Sequence, residues 1–240
     1  ASHSFAAESL GPLRMRKDAA EQDALRMNAA IDDAAITAIF AALNPGMTET
    51  DLAAVAHQVF KDHGAAALFT IVGAGANGAY PHHATGTTVI ADGDAIVIDI
   101  GARKGAFSSD ITRMAVVGTP PADYAHVHDT VEAAVQAALA AARPGARACD
   151  VDRAARQVIE DAGYGAYFVH RTGHGMGLEG HEPPYISASS QTMLEPGMVF
   201  SIEPGIYLTG RFGVRLEEIV ILQPDGPEVL SKLSRAVFRA

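Results

Sequence analysis

The chain has 240 residues and a formal net charge of −10. Apolar residues make up 48% and charged residues 19%, a balance that supports a sizeable core and excludes global disorder. The negative charge argues against nucleic acid and anionic membranes as partners, and no uninterrupted apolar run is long enough for a membrane helix.

The start of the chain and its single cysteine bear on location. The N-terminal sequence ASHSF has neither the basic nor the apolar region of a signal peptide. Cys149 has no second cysteine with which to form an intramolecular disulfide, as is typical of a reducing compartment. We therefore expect a cytoplasmic protein in which residues 1–16 are an N-terminal segment or linker remnant and residues 17–240 form one domain.

Two helices are predicted at the start of this domain. Residues 17–43 are rich in alanine, periodic and free of internal Gly and Pro, and Pro45 ends the pattern. Thr48 stands three residues before Asp51, which predicts a capping arrangement for a second helix that ends at Gly64.

The same pattern returns 99 residues later. Residues 44–64 and 143–163 align without a gap and are identical at eight of 21 positions. Residues 122–142 predict a third helix, and Asp150 is placed to cap a fourth helix that ends near Gly163. Such self-similarity indicates an internal repeat.

Strands complete each half of the repeat. Five apolar segments favour strands, at residues 95–100, 111–117, 198–203, 206–208 and 214–222. With the helices they predict a single α/β domain of two ααβ halves, about residues 17–120 and 121–225, related by a pseudo-twofold axis. We expect the functional site at the junction of the halves.

The first pair of strands carries two acids. Asp99 interrupts an apolar strand, where a buried carboxylate is costly unless it is paired or bound to a metal. With Lys104 and Gly105 as a two-residue turn, Asp99 would face Asp110 on the next strand. Directly opposed side chains lie about 4.5–5.5 Å apart, so these carboxylates would repel each other unless a cation lay between them.

A second hairpin repeats this arrangement. Glu203 and Glu217 are equally distant from Gly210, which lies in a predicted turn, so Glu203 would face Glu217. The alignment of the two halves also places Asp99 on Glu203. Two independent hairpins that each pair two carboxylates indicate a metal site.

The fifth candidate ligand is His174. Gly173 and Gly175 flank it and allow a close approach of the backbone. Four carboxylates and one histidine form a ligand set that suits Mn²⁺, Co²⁺, Zn²⁺ or Fe²⁺. Such a set could hold two ions about 3.5–4 Å apart.

A glycine-rich segment needs a separate interpretation. Residues 73–78 match the pattern G-x-G-x-x-G, but Pro81 and two histidines follow in place of a helix. We therefore reject a dinucleotide site and expect a loop near the substrate.

The motifs resemble those of the pita-bread metallopeptidases, the family of prolidase, aminopeptidase P and methionine aminopeptidase. The resemblance covers nearly the whole chain and rests on VIDIGA around Asp99, SSDITR around Asp110, GHGMGLEGHEPP around His174, SIEPG around Glu203 and GVRLEE around Glu217. It implies the pita-bread fold, with duplicated ααβ halves around a mostly antiparallel curved sheet. It also implies hydrolysis of a peptide bond by water activated between two divalent metal ions, with Mn²⁺ the first choice.

The resemblance also assigns roles to the five ligands. Asp99 would bind one ion, and His174 and Glu203 the other, while Asp110 and Glu217 would bridge the two. Glu203 would in addition take a proton from the water and pass it to the leaving nitrogen.

Further residues of the motifs are implied to contact the substrate. His82 and His181 would stabilise the tetrahedral intermediate, and His170 and Arg215 match substrate-recognition positions of the proline-directed branch. Glu218 is expected to point away from the ligands and to be exposed or to support them.

Residues 215–218 have the sequence Arg-Leu-Glu-Glu, which resembles the Xaa-Pro branch. The corresponding segment of methionine aminopeptidases resembles Gln-Phe-Glu-His. The expected partner is then a peptide with proline at the second position, for a dipeptidase or an aminopeptidase, and a homodimer is a possible assembly. One alternative is a methionine aminopeptidase-like exopeptidase. Another is a non-catalytic pita-bread binding module, which would be expected to have lost ligands.

Overall fold

The computed structural model describes the backbone of residues 7–240 and the side chains from residue 10 onward. Five α-helices are present in this part of the chain: α1 (Ala7–Met15), α2 (Ala19–Ala42), α3 (Glu49–Asp62), α4 (Tyr124–Ala141) and α5 (Ala148–Asp161). Two short 3₁₀ turns cover Gly75–Ala79 and Gly165–Tyr167. The four predicted helices are therefore confirmed, and α1 lies in the predicted linker segment.

The helix starts show which capping predictions were right. Thr48 caps α3 in a reciprocal arrangement with Asp51, as predicted. The prediction for Asp150 is wrong, because the residue before α5 is Arg147 and Asp150 lies in the first turn. The offset of 99 residues aligns Asp150 with Asp51, not with the capping Thr48. In both halves the aspartate is therefore the third residue of the helix.

Twelve strands form three sheets in the described chain. They are β1 (Ala66–Ala74), β2 (Ala95–Lys104), β3 (Phe107–Ser108), β4 (Ile111–Val116), β5 (Gly173–Gly175), β6 (Glu182–Ile186), β7 (Val199–Ile202), β8 (Gly205–Leu208), β9 (Phe212–Arg215), β10 (Glu218–Gln223), β11 (Gly226–Val229) and β12 (Phe238–Arg239). The sheets have the orders β1-β2-β4-β12, with β3 beside β2, then β11-β10-β7-β5-β6, and β8-β9. All pairs are antiparallel except β4 with β12.

The predicted strand over 214–222 is in fact two strands. β9 ends at Arg215 and β10 begins at Glu218, and the chain changes sheet between them. The backbone therefore bends at Leu216 and Glu217, where the strand partners also change from β8 to β7. The sequence VRLEEIVIL, with three charged residues near its start, did not reveal this bend.

The alternation of β2 explains how the halves meet. Ile96 and Ile98 pack in one hydrophobic cluster with residues of α2 and α3. Val97, on the opposite face, belongs to a second cluster that includes residues of α4 and α5. Because side chains alternate along a strand, Asp99 lies on the same face as Val97, directed toward the second half. The site is thus placed at the junction of the halves.

No helix within residues 7–240 is both long enough and apolar enough to cross a membrane. The longest of these helices, α2, has 24 residues and is long enough, but it is not apolar enough.

Candidate metal centre

The first hairpin has a different register from the one predicted. Arg103 pairs with Ser108, and Asp99 with Thr112, so the turn consists of Gly105 and Ala106. The expectation that Asp99 directly faces Asp110 is therefore wrong. Gly105 has φ +65° and takes the first turn position, which in a two-residue loop of this kind requires glycine.

The error of two residues nevertheless preserves the face of the sheet. Side chains repeat every two residues, so a shift by two leaves Asp110 on the side of Asp99. Ligand oxygens of Asp99, Asp110 and Glu217 lie within 4.8 Å of one another. Asp99 and Asp110 are both buried, and each is 8% exposed.

The second hairpin has the predicted register. Gly205 pairs with Arg215 in one ladder, and Ile202 with Glu218 in the next. Glu203 and Glu217 lie between these ladders, opposite each other, as predicted. The turn is built around Gly210, which has φ +76°.

His174 reaches the carboxylates from the short strand β5. A Cβ atom on Gly173 would lie 1.9 Å from the Ser201 carbonyl oxygen, so only glycine lets β5 pack this closely. The His174 Nδ1 atom lies 3.1 Å from the Gly175 carbonyl oxygen, to which it can only donate a proton. The Nε2 atom faces the carboxylates and lies 3.1 Å from Glu203 Oε1, close enough to share a proton with it when no cation is bound.

Three groups of potential ligands emerge from this arrangement, each with its ligand atoms within 4.8 Å of one another. They are Asp99, Asp110 and Glu217; His174, Glu203 and Glu217; and Asp110, His174 and His181. Asp110, His174 and Glu217 each belong to two groups, and Asp99, Glu203 and His181 to one each. Only Asp110 and Glu217 share one group with Asp99 and another with His174. The set of donors and its sharing suit a pair of divalent cations.

Two oxygens in this cluster lack any hydrogen bond in the described part of the chain. Asp99 Oδ1 and Glu217 Oε1 are buried without a partner. A buried carboxylate oxygen without a donor or cation costs free energy. A metal ion would satisfy both atoms, so the residues present fit the group that the donor chemistry indicates.

The electrostatics of the acids also favour a cation. Burial raises the pKa of Asp110 well above its usual value, and the charges of Glu217 and Asp99 raise it further. Burial likewise raises the pKa of Glu217, with Glu203 adding to the effect. Glu203 differs, because the hydrogen bond and charge of His174 outweigh burial and bring its pKa to about 2.

Arg215 links the two hairpins instead of facing open solvent. Its guanidinium pairs with Asp99 Oδ2, donates to Thr112 Oγ1 at 3.0 Å and donates to the Tyr207 hydroxyl at 2.8 Å. Thr112 in turn donates to Glu217 Oε2 at 2.8 Å. The predicted substrate-recognition residue thus lies in the wall of the site, where it also orients two acids.

His170 lies next to this linkage. Its Nε2 atom is 2.8 Å from the Tyr207 hydroxyl, and its Nδ1 atom is 2.7 Å from the Arg171 carbonyl oxygen. Burial lowers the pKa of His170, so the neutral ring donates through Nδ1 and accepts the Tyr207 proton at Nε2. Tyr207 was not singled out in the sequence, since a tyrosine in an apolar strand favours a core position.

His181 and His82 border the open side of the site. The ring of His181 lies 3.8 Å from that of His174, centroid to centroid, and its Nδ1 atom accepts from the Arg171 guanidinium at 3.2 Å. Burial lowers the pKa of His181 to about 4, and His174 and Arg171 contribute. The neutral ring therefore keeps its proton on Nε2, as a donor. His82 is exposed on the loop that follows β1.

One cavity of about 570 Å³ contains every predicted site residue. Its lining comprises Phe69, Ile71, Pro81, His82, Asp99, Asp110, His170, Arg171, His174, His181, Glu203, Arg215 and Glu217. Sequence reasoning missed Phe69 and Ile71, because β1 was not predicted and their alternation went unused. Arg171 stood inside a quoted motif but had no separate signal.

Glu218, next to a candidate ligand, points away from the cavity as expected but is not exposed. It is 1% exposed and pairs with Arg113 at 2.9 Å and with Arg235 at 2.9 Å. Glu218 therefore fixes the back of β10 to the rest of the fold.

Comparison with known proteins agrees with this geometry. The chain is 46% identical over 224 residues to a protein of Mycobacterium tuberculosis named "Probable dipeptidase PepE", which covers 92% of this chain and 60% of that protein. The prolidase structure from Pyrococcus furiosus superposes with a TM-score of 0.94 at 38% identity, covering 97% of this chain and 67% of that one. The structure of an X-Pro aminopeptidase from Thermotoga maritima gives the same TM-score, identity and coverage.

These structures confirm the predicted pita-bread fold. The chain spans about 60% of the length of the mycobacterial relative. The model of the metallopeptidase family M24 matches residues 23–224. Because of this match and the shared fold, the chain belongs to metallopeptidase family M24.

Proposed function

We propose that the chain is the catalytic domain of an exopeptidase that uses two metal ions to hydrolyse the peptide bond before a proline at the second position. The observation that carries this proposal is the sharing of Asp110 and Glu217 between ligand groups, next to two buried carboxylate oxygens without partners. Relatives named Xaa-Pro dipeptidase, from Pyrococcus furiosus for example, support the choice of substrate.

The ligands divide naturally between two ions. Asp99 would hold one ion, and His174 with Glu203 the other, while Asp110 and Glu217 would contact both. When bound, such ions lower the pKa of water and polarise a carbonyl group. We propose Mn²⁺ as the working metal, with Co²⁺, Zn²⁺ and Fe²⁺ accepted by the same donors.

Glu203 is the residue placed to move protons. Its pKa of about 2 keeps the carboxylate ionised, and its Oε1 atom accepts from Ser201 Oγ at 3.0 Å. In hydrolysis the water oxygen forms a bond to the carbonyl carbon, and the carbon–nitrogen bond breaks. Glu203 accepts the proton of the water and returns it to the departing prolyl nitrogen.

The histidines at the open side are placed to donate hydrogen bonds. His181 is neutral, and Arg171 occupies its Nδ1 atom, so Nε2–H is free to donate to the oxygen that becomes negative. His82 borders the same cavity and is proposed to act with it.

The cavity also has features that suit a short peptide ending in proline. Phe69 and Ile71 of β1 provide an apolar wall for a pyrrolidine ring. Arg171 donates to His181, and its guanidinium lies 4.6 Å from the ring centroid of Tyr185. Within residues 10–240 its guanidinium forms no ion pair with a carboxylate. We propose that Arg171 binds the C-terminal carboxylate of an Xaa-Pro dipeptide, which favours a dipeptidase.

A substrate panel with added Mn²⁺ tests the proposal. Xaa-Pro, its C-terminal amide, Xaa-Pro-Yaa-Zaa and Met-Ala-Yaa would be compared for kcat/KM. We expect Xaa-Pro to be preferred, and Arg171→Gln to raise the KM of Xaa-Pro about tenfold or more while leaving the KM of the amide nearly unchanged. Any effect of the substitution through His181 would lower kcat for both substrates alike. Arg153→Gln is the control, since Arg153 is an exposed arginine outside the cavity.

The panel also separates the alternatives. Preference for Met-Ala-Yaa would replace the proposal by a methionine aminopeptidase-like activity. A folded protein that retains neither Mn²⁺ nor Co²⁺ and hydrolyses no peptide of the panel when either ion is added would instead support the non-catalytic binding module.

A further inference from the structure

A buried carboxylate outside the candidate metal centre is hydrogen-bonded to the loop that carries His82. Glu49, the first residue of α3, is 0% exposed. It does not line the 570 Å³ cavity. A fully buried carboxylate is costly unless it is extensively hydrogen-bonded.

Glu49 accepts four hydrogen bonds, two at each oxygen. The Ala74 amide and the Asn77 side chain donate to Oε1, both at 2.9 Å. His83 Nε2 and the Gly86 amide donate to Oε2, at 2.8 and 2.9 Å. Three of the four donors come from the loop between β1 and β2, and the fourth, Ala74, is the last residue of β1.

These bonds lie on both sides of His82 along the chain. Ala74 and Asn77 precede it, and His83 and Gly86 follow it. The backbone of α3 strengthens the second attachment, because the Thr50 amide donates to the Gly86 carbonyl at 3.1 Å. One side chain therefore closes the loop at its two ends.

The side chain of His82 is placed by the loop alone. It has no hydrogen bond to any residue of the described chain, whereas the adjacent His83 is bound to Glu49. The position of the His82 ring in the cavity thus depends on the backbone from residue 74 to residue 86. The two neighbouring histidines thus differ in their surroundings: His82 lines the cavity, and His83 binds Glu49.

We propose that Glu49 is a positioning residue that holds His82 at the reacting carbonyl through the loop of residues 74–86. The inference rests on the proposed function, because it takes His82 to contact the substrate. Glu49 itself touches neither the substrate cavity nor a candidate metal ligand.

Glutamine cannot replace Glu49 in this role. Each carboxylate oxygen receives two donors, and one of each pair is a backbone amide. Glutamine has a single acceptor oxygen, so its NH₂ group would face a backbone N–H wherever it was placed. At least one end of the loop would be released, although the shape of the side chain is retained.

The test combines Glu49→Gln with His82→Ala in a double-mutant cycle. We expect Glu49→Gln to lower kcat/KM for Xaa-Pro about tenfold to 100-fold, mainly through kcat, with metal content unchanged. In the His82→Ala background the same substitution should have almost no further effect. Glu132→Gln, which removes a carboxylate paired with Arg235 outside the cavity, is the matched control and should leave kcat/KM unchanged.

Three outcomes of the cycle would overturn the proposal. They are full additivity with His82→Ala, a Glu49→Gln variant that loses thermal stability but keeps its kcat, and a His82→Ala variant as active as the wild type. Should Glu49→Gln fail to fold, Asn77→Ala removes one of the four donors and takes its place, with a smaller expected loss that again disappears in the His82→Ala background.

A measurement without substrate separates this inference from the proposed function. The ring signals of His82, assigned in NMR spectra by their loss in His82→Ala, should shift or broaden in Glu49→Gln but not in Glu132→Gln. Unchanged signals would overturn the positioning role even in an active enzyme. If the wild type hydrolysed no peptide but the His82 signals still changed in Glu49→Gln, the positioning role would be supported. Only the proposed function would then be overturned.

Discussion

The two hairpins bring carboxylates to the same centre by different geometry. In the first, Asp99 stands opposite Thr112, and Asp110 reaches the cluster from a diagonal position. In the second, Glu203 and Glu217 stand opposite each other at a break between two ladders. The difference shows what the site requires: the acids must lie on the same face of the sheet and close enough for their oxygens to meet. They need not be directly paired across the two strands of a hairpin.

The largest expected effect tests whether the hairpins contribute equally. Asp110→Ala and Glu217→Ala each remove a carboxylate shared between two ligand groups, so each should lower kcat about 1,000-fold or more. Added Mn²⁺ should raise the melting temperature of the wild type but of neither variant, because a ligand stabilises only the state that binds it.

Circular dichroism of both variants should show an intact fold. Asp129→Ala, at an exposed position on α4, serves as the control and should behave as the wild type. If one of the two variants turned over Xaa-Pro at a rate close to that of the wild type, the equivalence of the hairpins would be wrong.

A smaller effect concerns the stability of the metal-free protein as a function of pH. Burial raises the folded-state pKa of Asp110 above its unfolded value of about 3.9, so Asp110 stabilises the fold below that pH and loses this contribution as pH rises. Glu203 has a folded-state pKa of about 2, below its unfolded value of about 4.3. It stabilises the fold above pH 4 and loses this contribution as pH falls toward 2.

The two acids should therefore respond oppositely to neutralisation. In urea denaturation with a chelator at pH 7, Asp110→Asn should raise the free energy of unfolding, and Glu203→Gln should lower it by roughly 2–3 kcal/mol. The gain from Asp110→Asn should shrink as the pH is lowered from 8 to 5. A loss of stability in both variants at pH 7 would contradict the contrast between Asp110 and Glu203.

The smallest effect compares the turns. Gly105 and Gly210 have positive φ, and a Cβ atom at either position would meet no atom within 4 Å. Replacement by alanine should then cost only the backbone strain, about 1–2 kcal/mol at each turn, measured by chemical denaturation. A much smaller loss for Gly105→Ala would show that the first turn can move to the register with Lys104 and Gly105.

The sequence already predicted much of the fold through short-range signals. The periodic helices, the capping pair Thr48 and Asp51, and the register of the second hairpin were all confirmed, since each depends on residues close in the chain. The strands β5 and β6 were missed, because one is bracketed by glycines and the other contains two prolines. β5 becomes a strand only where β7 pairs with it, and β6 in turn pairs with β5.

By itself, the sequence determined which residues form the site. An acid inside an apolar strand, twice, with a histidine between glycines, indicates a metal cluster because burial of such charges is otherwise unfavourable. The family motifs then named the same residues that line the cavity.

Only the tertiary structure decided how these groups are held. The linkage of Arg215 to Asp99, Thr112 and Tyr207 joins parts of the chain separated by up to 116 residues. The four donors of Glu49 lie 25 to 37 residues beyond it. No local pattern encodes such contacts, because they depend on the packing of the helices and sheets against one another.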